Sequence, residues 1–154
     1  MIIVPGPSSK ELGEAVAEIL ELKTAPLEFK QFPDGEGYIR FTEDVAGEHT
    51  AIIQSTGPPQ DVNLIQLMIT ANTAKSLQAR SVIAVVPYLA YARQDKRFRT
   101  GEAISIDTII ELLKASGIDR LITVNIHSQA ILQRIRIPAE NLSAIPLLAR
   151  HFQS

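Results

Sequence analysis

The sequence predicts an α/β domain with a mostly parallel sheet, helices on both faces and one antiparallel hairpin. Two observations predict this class. Strand-like and helix-like segments alternate along the chain, which is typical of parallel strands joined by helical crossovers. In addition, Ser81 to Val86 is a continuous apolar run, as expected for a parallel strand covered on both faces.

The first strand and helix are predicted near the amino terminus. Ile2 to Val4 reads as a short strand that stops at a Pro-Gly-Pro sequence. Ser8 and Glu11 have the spacing of a capping box, in which each side chain satisfies the other's free backbone N–H. The helix that follows has an apolar stripe, which we expect to be its buried face. The stripe consists of Leu12, Ala15, Val16, Ile19 and Leu20.

A hairpin is predicted next, with strands over residues 27–31 and 37–41. Its turn has the sequence Phe32-Pro33-Asp34-Gly35-Glu36. Proline fixes φ and Asp-Gly accepts a positive φ, so this sequence favours a tight turn.

The rest of the chain continues the alternation of strands and helices. Residues 51–54 and 121–126 are predicted strands, and residues 61–78 a helix. Ser105 is expected to cap another helix that closes near Gly117, and the last segments, 129–135 and 145–152, are expected to be a short helix or turn and a final helix. The predicted buried faces of the two central helices are Leu64, Leu67, Met68, Ala71 and Ala74, and Ile106, Ile109, Ile110 and Leu113.

Length and composition indicate one globular domain over residues 1–154. With 45% hydrophobic residues the chain can bury a core, and with no cysteine it can form neither disulfides nor thiolate metal sites. The apolar runs are far shorter than the roughly 20 residues that span a bilayer, and the first residues lack a basic segment typical of a signal peptide. We therefore expect no membrane association and a cytoplasmic location.

Charge argues against a general nucleic-acid binder. The formal net charge is −2, whereas such proteins are usually basic. Four basic residues nevertheless fall within seven positions: Arg93, Lys96, Arg97 and Arg99. A local cluster on a neutral domain favours a small anionic ligand.

This basic cluster lies in a long polar loop, residues 90–103, after the most apolar strand. Ligands of parallel α/β sheets bind beyond the carboxyl ends of the strands, and guanidinium groups match phosphate oxygens. The loop therefore predicts a polyphosphate site, although a solvated surface loop is an equally good interpretation of its mixed charges. No Walker or dinucleotide-binding glycine motif occurs.

His127 follows the strand at 121–126, and Asn125 precedes it by two positions, which predicts the same side of the strand. A histidine here could contact a metal or a phosphate, and the alternative is a packed or surface residue. Asn125 is a poor ligand for a hard cation. A metal at this point would therefore depend on nucleotide phosphates.

The hairpin turn offers a second candidate site. Asp34 and Glu36 could act as a carboxylate pair, but aspartate is favoured in tight turns whatever their function. Phe32 offers a flat apolar surface to an aromatic base.

Taken together, four sequences resemble one family. They are Phe32-Pro33-Asp34-Gly35-Glu36, Tyr91-Ala92-Arg93-Gln94-Asp95-Lys96-Arg97-Phe98, Ile104-Ser105 and Asn125-Ile126-His127-Ser128. In order and spacing they resemble ribose-phosphate diphosphokinase (phosphoribosyl-diphosphate synthetase). The loop from Ser55 to Asn63 is similar to the archaeal branch of that family.

The resemblance implies a phosphoribosyltransferase-like fold and transfer of the diphosphate of Mg-ATP to the 1-hydroxyl of ribose 5-phosphate. It implies that Phe32, Asp34 and Glu36 embrace adenine across an interface of a homo-oligomer. It implies that Arg93 and Gln94 hold ATP, with Lys96, Arg97 and Arg99 as further phosphate contacts, and that His127 lies near Mg²⁺. It assigns no catalytic residue in this chain.

Two departures separate the chain from the whole family pattern. Asn125 stands where the family normally has aspartate, and the chain is about half the family's length. The ribose-phosphate loop, an acidic pair followed by Thr-Gly-Gly-Thr, does not occur, and neither does the catalytic flap that belongs to the same half. We expect an N-terminal, ATP-handling half that is inactive alone. The alternative is a non-catalytic assembly module or regulator that associates with itself or with a complete synthetase.

Overall fold

The computed structural model describes residues 1–153 and confirms the α/β class. Six strands form a parallel sheet in the order β2-β1-β5-β6-β7-β8, and β3 and β4 form a separate antiparallel pair. The strands are β1 (Ile2–Pro5), β2 (Lys23–Thr24), β3 (Leu27–Gln31), β4 (Gly37–Phe41), β5 (His49–Ile53), β6 (Ser81–Val86), β7 (Arg120–Val124) and β8 (Ala139–Leu142). The α-helices are α1 (Lys10–Ile19), α2 (Gln60–Ser76), α3 (Ser105–Ala115) and α4 (Ile145–Gln153). No helix within residues 1–153 is long and apolar enough to cross a membrane.

Helices α2 and α3 cover one face of the sheet, as their sequence pattern predicts. The buried apolar cluster joins the predicted faces of both helices to alternate strand residues such as Val4, Ile52 and Ala84. Met68 and Ile109 are the partly buried members of those faces. The opposite face carries α1, through a smaller cluster of Ile3, Ala17, Ala51 and Ile53.

Of the apolar stripe that the periodicity of α1 predicts, only Val16 packs against this smaller cluster. Ile19 is 79% exposed and Leu20 57% exposed, whereas Gly13 and Ala17 face the sheet. The reason is a close approach, because a Cβ atom at Gly13 would lie 2.8 Å from the Pro5 Cα atom. The two small residues let the helix pack against the end of β1, which turns the larger side chains towards solvent.

Neither predicted helix cap is present. Ser9 precedes α1 without a side-chain capping bond, and Ser8 Oγ instead donates to the Ser55 carbonyl oxygen at 2.6 Å. Ser105 is the first residue of α3, and its hydroxyl donates to Gln94 Oε1. Both serines bond to a neighbouring loop, so long-range contacts replace the local bonds that their spacing suggests.

Gly13 provides a stability test of the α1 packing. Alanine is the better helix former by roughly 1 kcal/mol, but the added methyl group would overlap Pro5. Overpacking outweighs propensity, and we expect Gly13→Ala to lower the free energy of unfolding by about 1–3 kcal/mol. Urea denaturation measures this change. Gly57→Ala is the matched control, because the nearest atom to its new Cβ is 4.0 Å away. A Gly13→Ala variant as stable as wild type would contradict the close approach.

Candidate functional site

The carboxyl ends of β5, β6 and β7 lie side by side and bring three loops to one edge of the sheet. Thr56 fastens the loop after β5 to the loop after β6. Its backbone N–H and its hydroxyl both donate to the Tyr88 carbonyl oxygen, at 2.9 and 2.7 Å, and its hydroxyl accepts from the Ala90 N–H at 2.8 Å. Thr56 is fully buried, so these three hydrogen bonds are shielded from water beneath the edge.

A cavity of about 220 Å³ opens between the loops that follow β6 and β7. Arg93 lines it from the β6 side, and Asn125 and His127 line it from the β7 side. Its remaining lining is mostly apolar, from Tyr88, Leu89, Ala92, Val124 and Ile126. The structure therefore brings together three of the residues that the sequence singles out, and it places a cation and an imidazole around one concave surface.

Asn125 has a structural task in this cavity. Strand β7 ends at Val124, and Asn125 has a left-handed φ of 46°, so the two-residue period predicted to align it with His127 stops before it. Its Oδ1 accepts from the Ala144 N–H at 3.2 Å, and its own N–H donates to Leu142. Asparagine tolerates this backbone conformation and holds the turn after β8.

The described residues alone do not fit a magnesium site. No group of three histidine, cysteine or acidic side chains that could hold a metal occurs within residues 1–153. The Asn125 amide oxygen is already bonded, and an imidazole nitrogen suits Mg²⁺ poorly compared with oxygen ligands.

The basic loop is organised by its own glutamate. The Glu102 carboxylate accepts from the Phe98 and Arg99 N–H groups at 2.7 and 3.0 Å, and the Arg97 Nε donates to the Glu102 carbonyl oxygen at 2.8 Å. Lys96 Nζ lies 5.0 Å from the Phe98 ring centre. Within residues 1–153 none of the four basic side chains of this loop forms an ion pair. All four basic residues are exposed, so the loop presents positive charge to solvent.

The predicted phosphate residues divide between two places. Arg97 and Arg99 line an open concavity formed by residues 97–102, which is separate from the cavity that Arg93 lines. Along the chain Gln94 lies between Arg93 and Arg97, and its side-chain oxygen accepts a hydrogen bond from the Ser105 hydroxyl. Gln94 is therefore held against the start of α3 and does not line the cavity.

The hairpin turn is held by its own backbone and by Asp34. Phe32 N–H donates to the Glu36 carbonyl oxygen at 2.8 Å, and Glu36 N–H donates to Asp34 Oδ1 at 3.1 Å. Gly35 has a φ of 96°, which glycine adopts without strain. The Asp34 carboxylate thus shapes the turn, as its sequence favours.

Phe32 belongs to an exposed aromatic group on the hairpin. Its ring lies 6.1 Å from that of Tyr38, edge to face, and Lys30 Nζ lies 4.4 Å from the Tyr38 ring centre. The sequence pattern does not identify Lys30 or Tyr38 as candidate site residues, because the two become neighbours only through the pairing of β3 with β4. Glu36 lies over an apolar groove against α2 and shares no cavity with Arg93 or His127. One chain therefore does not bring the turn residues to the cavity.

Tyr91, which the sequence shows only as one residue of the basic-loop motif, joins the loop after β6 to the start of α2. Its hydroxyl donates to the Asp61 carboxylate at the start of α2, and its backbone has a left-handed φ of 63°. The bond to Asp61 raises the pKa of Tyr91, because ionisation would lose the bond and set two negative charges together.

This contact predicts a pH effect. Because the pKa of Tyr91 is raised in the folded state, the contact stabilises the fold fully below about pH 10. This contribution is lost as the pH rises through the raised pKa of Tyr91. We expect Asp61→Asn to bring ionisation of Tyr91 to a lower pH in a tyrosinate absorbance titration. Tyr91→Phe, titrated in the same way, is the control that identifies which part of the absorbance change belongs to Tyr91. An unchanged titration in Asp61→Asn would contradict the contact.

Comparison with known proteins gives consistent matches. Residues 1–117 match the family model described as the N-terminal domain of ribose phosphate pyrophosphokinase. The chain is 43% identical over 150 residues to a ribose-phosphate pyrophosphokinase of Methanothermobacter thermautotrophicus, covering 97% of this chain and 52% of that protein. It is 43% identical over 127 residues to one of Saccharolobus solfataricus, covering 82% of this chain and 44% of that protein.

A solved structure agrees with these matches. The phosphoribosylpyrophosphate synthetase from Mycobacterium smegmatis superposes with a TM-score of 0.92 at 31% identity, over 99% of this chain and 51% of that chain. The chain spans about half the length of these relatives.

Proposed function

The chain belongs to the ribose-phosphate pyrophosphokinase family, and we propose that it is the ATP-handling half of such an enzyme. The whole enzyme transfers the diphosphate of Mg-ATP to the 1-hydroxyl of ribose 5-phosphate and releases AMP. The observation that carries the proposal is the cavity at the carboxyl edge of the sheet, where Arg93 and His127 lie on opposite loops. Nothing in this half is proposed to hold the sugar phosphate.

The proposed task of the cavity is to bind and orient the triphosphate. Arg93 carries a planar cation without an ion-pair partner among residues 1–153, and it can match phosphate oxygens with two hydrogen bonds. His127 can donate a hydrogen bond to the same phosphates. Lys96, Arg97 and Arg99 would add longer-range attraction from the same loop, and Gln94 would fix the loop. Mg²⁺ would arrive bound to ATP, because the described residues form no metal site of their own.

The hairpin turn is proposed to contact the adenine of an ATP molecule that is bound in the cavity of a neighbouring subunit. Phe32 is 44% exposed and offers a ring face, and Asp34 and Glu36 offer acceptors for the exocyclic amine. Because the turn and the cavity lie apart within one chain, a second copy must bring them together. A homo-oligomer is therefore part of the proposal.

A surface suited to such an oligomer lies beside the hairpin. The outward face of α2 carries Val62, Ile65 and Ile69, each at least 40% exposed. With Phe29 and Ile39 of the hairpin they line a groove of about 360 Å³. A helix that is apolar on both faces is typical of a helix buried on both sides, so this groove is the proposed contact between copies.

The sugar-phosphate half is proposed to be a second domain. On the face of the sheet that carries α1, the side chains of Ile122 and Val124 remain partly exposed, and Leu142 of β8 is exposed. Helix α4 buries none of its residues within the structure. A parallel sheet normally has helices over both faces, so a further domain would complete this one.

A non-catalytic assembly module is the second candidate function. The exposed apolar residues of α1, α2 and α4 favour it, because exposed apolar patches mark interaction sites. Association with itself or with a complete synthetase would fit these surfaces.

The net charge of −2 disfavours a nucleic-acid partner. The proposed use of ATP and a sugar phosphate supports a cytoplasmic location.

A nucleotide titration tests the proposed ATP site. We expect Arg93→Ala to weaken Mg-ATP binding by roughly tenfold in isothermal titration calorimetry, the scale of one charge-assisted hydrogen bond. Arg80→Ala is the matched control, since it removes an exposed arginine just before β6, at the other end of that strand. Equal affinities in both variants would contradict a phosphate role for Arg93.

Self-association tests the proposed interface. We expect Ile65→Glu to shift the protein towards monomer in sedimentation velocity, because a charge would be buried without a partner. Leu112→Glu is the control, as Leu112 is 44% exposed on α3 and does not line the groove. The same oligomer in both variants would exclude this face of α2 from the interface.

A further inference from the structure

We propose that Arg134 is a positioning residue that holds the basic loop against the connection between β7 and β8. Its guanidinium group uses two nitrogens on two partners. Nη2 donates to the Asp95 carbonyl oxygen at 2.7 Å, and Nη1 donates to Asp107 Oδ1 at 2.9 Å. Asp95 lies in the basic loop, two residues after Arg93, and Asp107 lies in the first turn of α3.

The position of Arg134 in the chain gives this contact its importance. It lies seven residues after His127, on the connection that follows β7. The two loops that form the walls of the cavity are thus joined by one side chain from the β7 side. Within the described residues, no other hydrogen bond links residues 88–104 to residues 125–138. Arg134 is therefore suited to fix the separation between Arg93 and His127.

The other hydrogen bonds of the basic loop do not set that separation. Glu102 bonds within the loop, and Gln94 bonds to the Ser105 hydroxyl and accepts from the Ile106 N–H at 3.5 Å, at the start of α3. Those bonds hold the loop to its own helix. The Arg134 guanidinium suits the task of linking the two loops, because its rigid plane can donate to a carboxylate and to a carbonyl oxygen at once.

Asp107 orients the fork. The ion pair is exposed to solvent, with the Arg134 side chain 37% and the Asp107 side chain 48% accessible, so by itself it contributes little to global stability. Its effect is local: with one nitrogen held by Asp107, another points at the Asp95 carbonyl group. Loss of Arg134 should therefore loosen the loop without unfolding the domain.

Limited trypsin digestion measures the loosening directly, since Lys96, Arg97 and Arg99 are cleavage sites within the loop. We expect Arg134→Ala to raise the rate of cleavage at residues 96–99 by roughly 3- to 10-fold, the scale of one partly exposed hydrogen bond from a charged donor. Arg134→Lys keeps the charge but not the fork, so its cleavage should also be faster than that of wild type. The thermal unfolding midpoint should stay within about 2 °C of wild type in both variants.

Arg136→Ala is the matched control. It removes the same charge two residues away, and within residues 1–153 its side chain forms no hydrogen bond or ion pair. Wild-type cleavage is expected in Arg136→Ala. Faster cleavage in the control, or wild-type cleavage in Arg134→Ala or Arg134→Lys, would overturn the proposed fork.

The consequence for ligand binding rests on the proposed function. In a Mg-ATP titration, Arg134→Ala should bind roughly 3- to 10-fold more weakly than Arg136→Ala, although Arg134 does not line the cavity. Cleavage that rises while Mg-ATP affinity stays equal to that of Arg136→Ala would overturn the positioning role. Wild-type protein that binds no Mg-ATP would instead refute the ATP site, and the digestion would still decide whether Arg134 holds the loop.

Discussion

The site depends on the parallel register of β5, β6 and β7. Ile53 pairs with Val85, and Val86 pairs with Thr123, so the three strands end at one edge and their loops leave side by side. The buried amide of Gln54 continues this order beyond the strands, because Nε2 donates to Gln66 Oε1 at 3.2 Å and Oε1 accepts from the Ser8 N–H at 3.1 Å. Without that register Arg93 and His127 would not share a cavity.

The sequence was sufficient for the elements whose pattern is local. The hairpin strands match their predicted bounds, and the buried faces of α2 and α3 match their apolar spacing. The errors arise where long-range contacts decide the outcome. Most of the predicted α1 stripe faces solvent because Gly13 packs closely against Pro5, and the Ser8 hydroxyl donates to the loop after β5 rather than capping α1. The sequence pattern does not predict β8, because pairing with β7 defines this short strand.

The candidate site was predictable as a set of loops but not as a geometry. Arg93 and His127 follow predicted strands, Asn125 lies near the end of one, and their convergence follows from the parallel sheet. The position of Arg134 against Asp95 could not be read from the sequence, since 39 residues separate them. The separation of the hairpin turn from the cavity is likewise a property of three dimensions, and it explains why the proposed ATP site needs a second copy.

Release of AMP from Mg-ATP by this chain, with and without ribose 5-phosphate, tests most directly whether the chain is one half of a synthetase. We expect no sugar-dependent AMP from this chain alone, and sugar-dependent AMP once a separately produced C-terminal half of an archaeal relative is added. Sugar-dependent AMP from this chain alone would mean that its 154 residues contain a ribose-phosphate site, which would contradict the proposed division of labour between two halves.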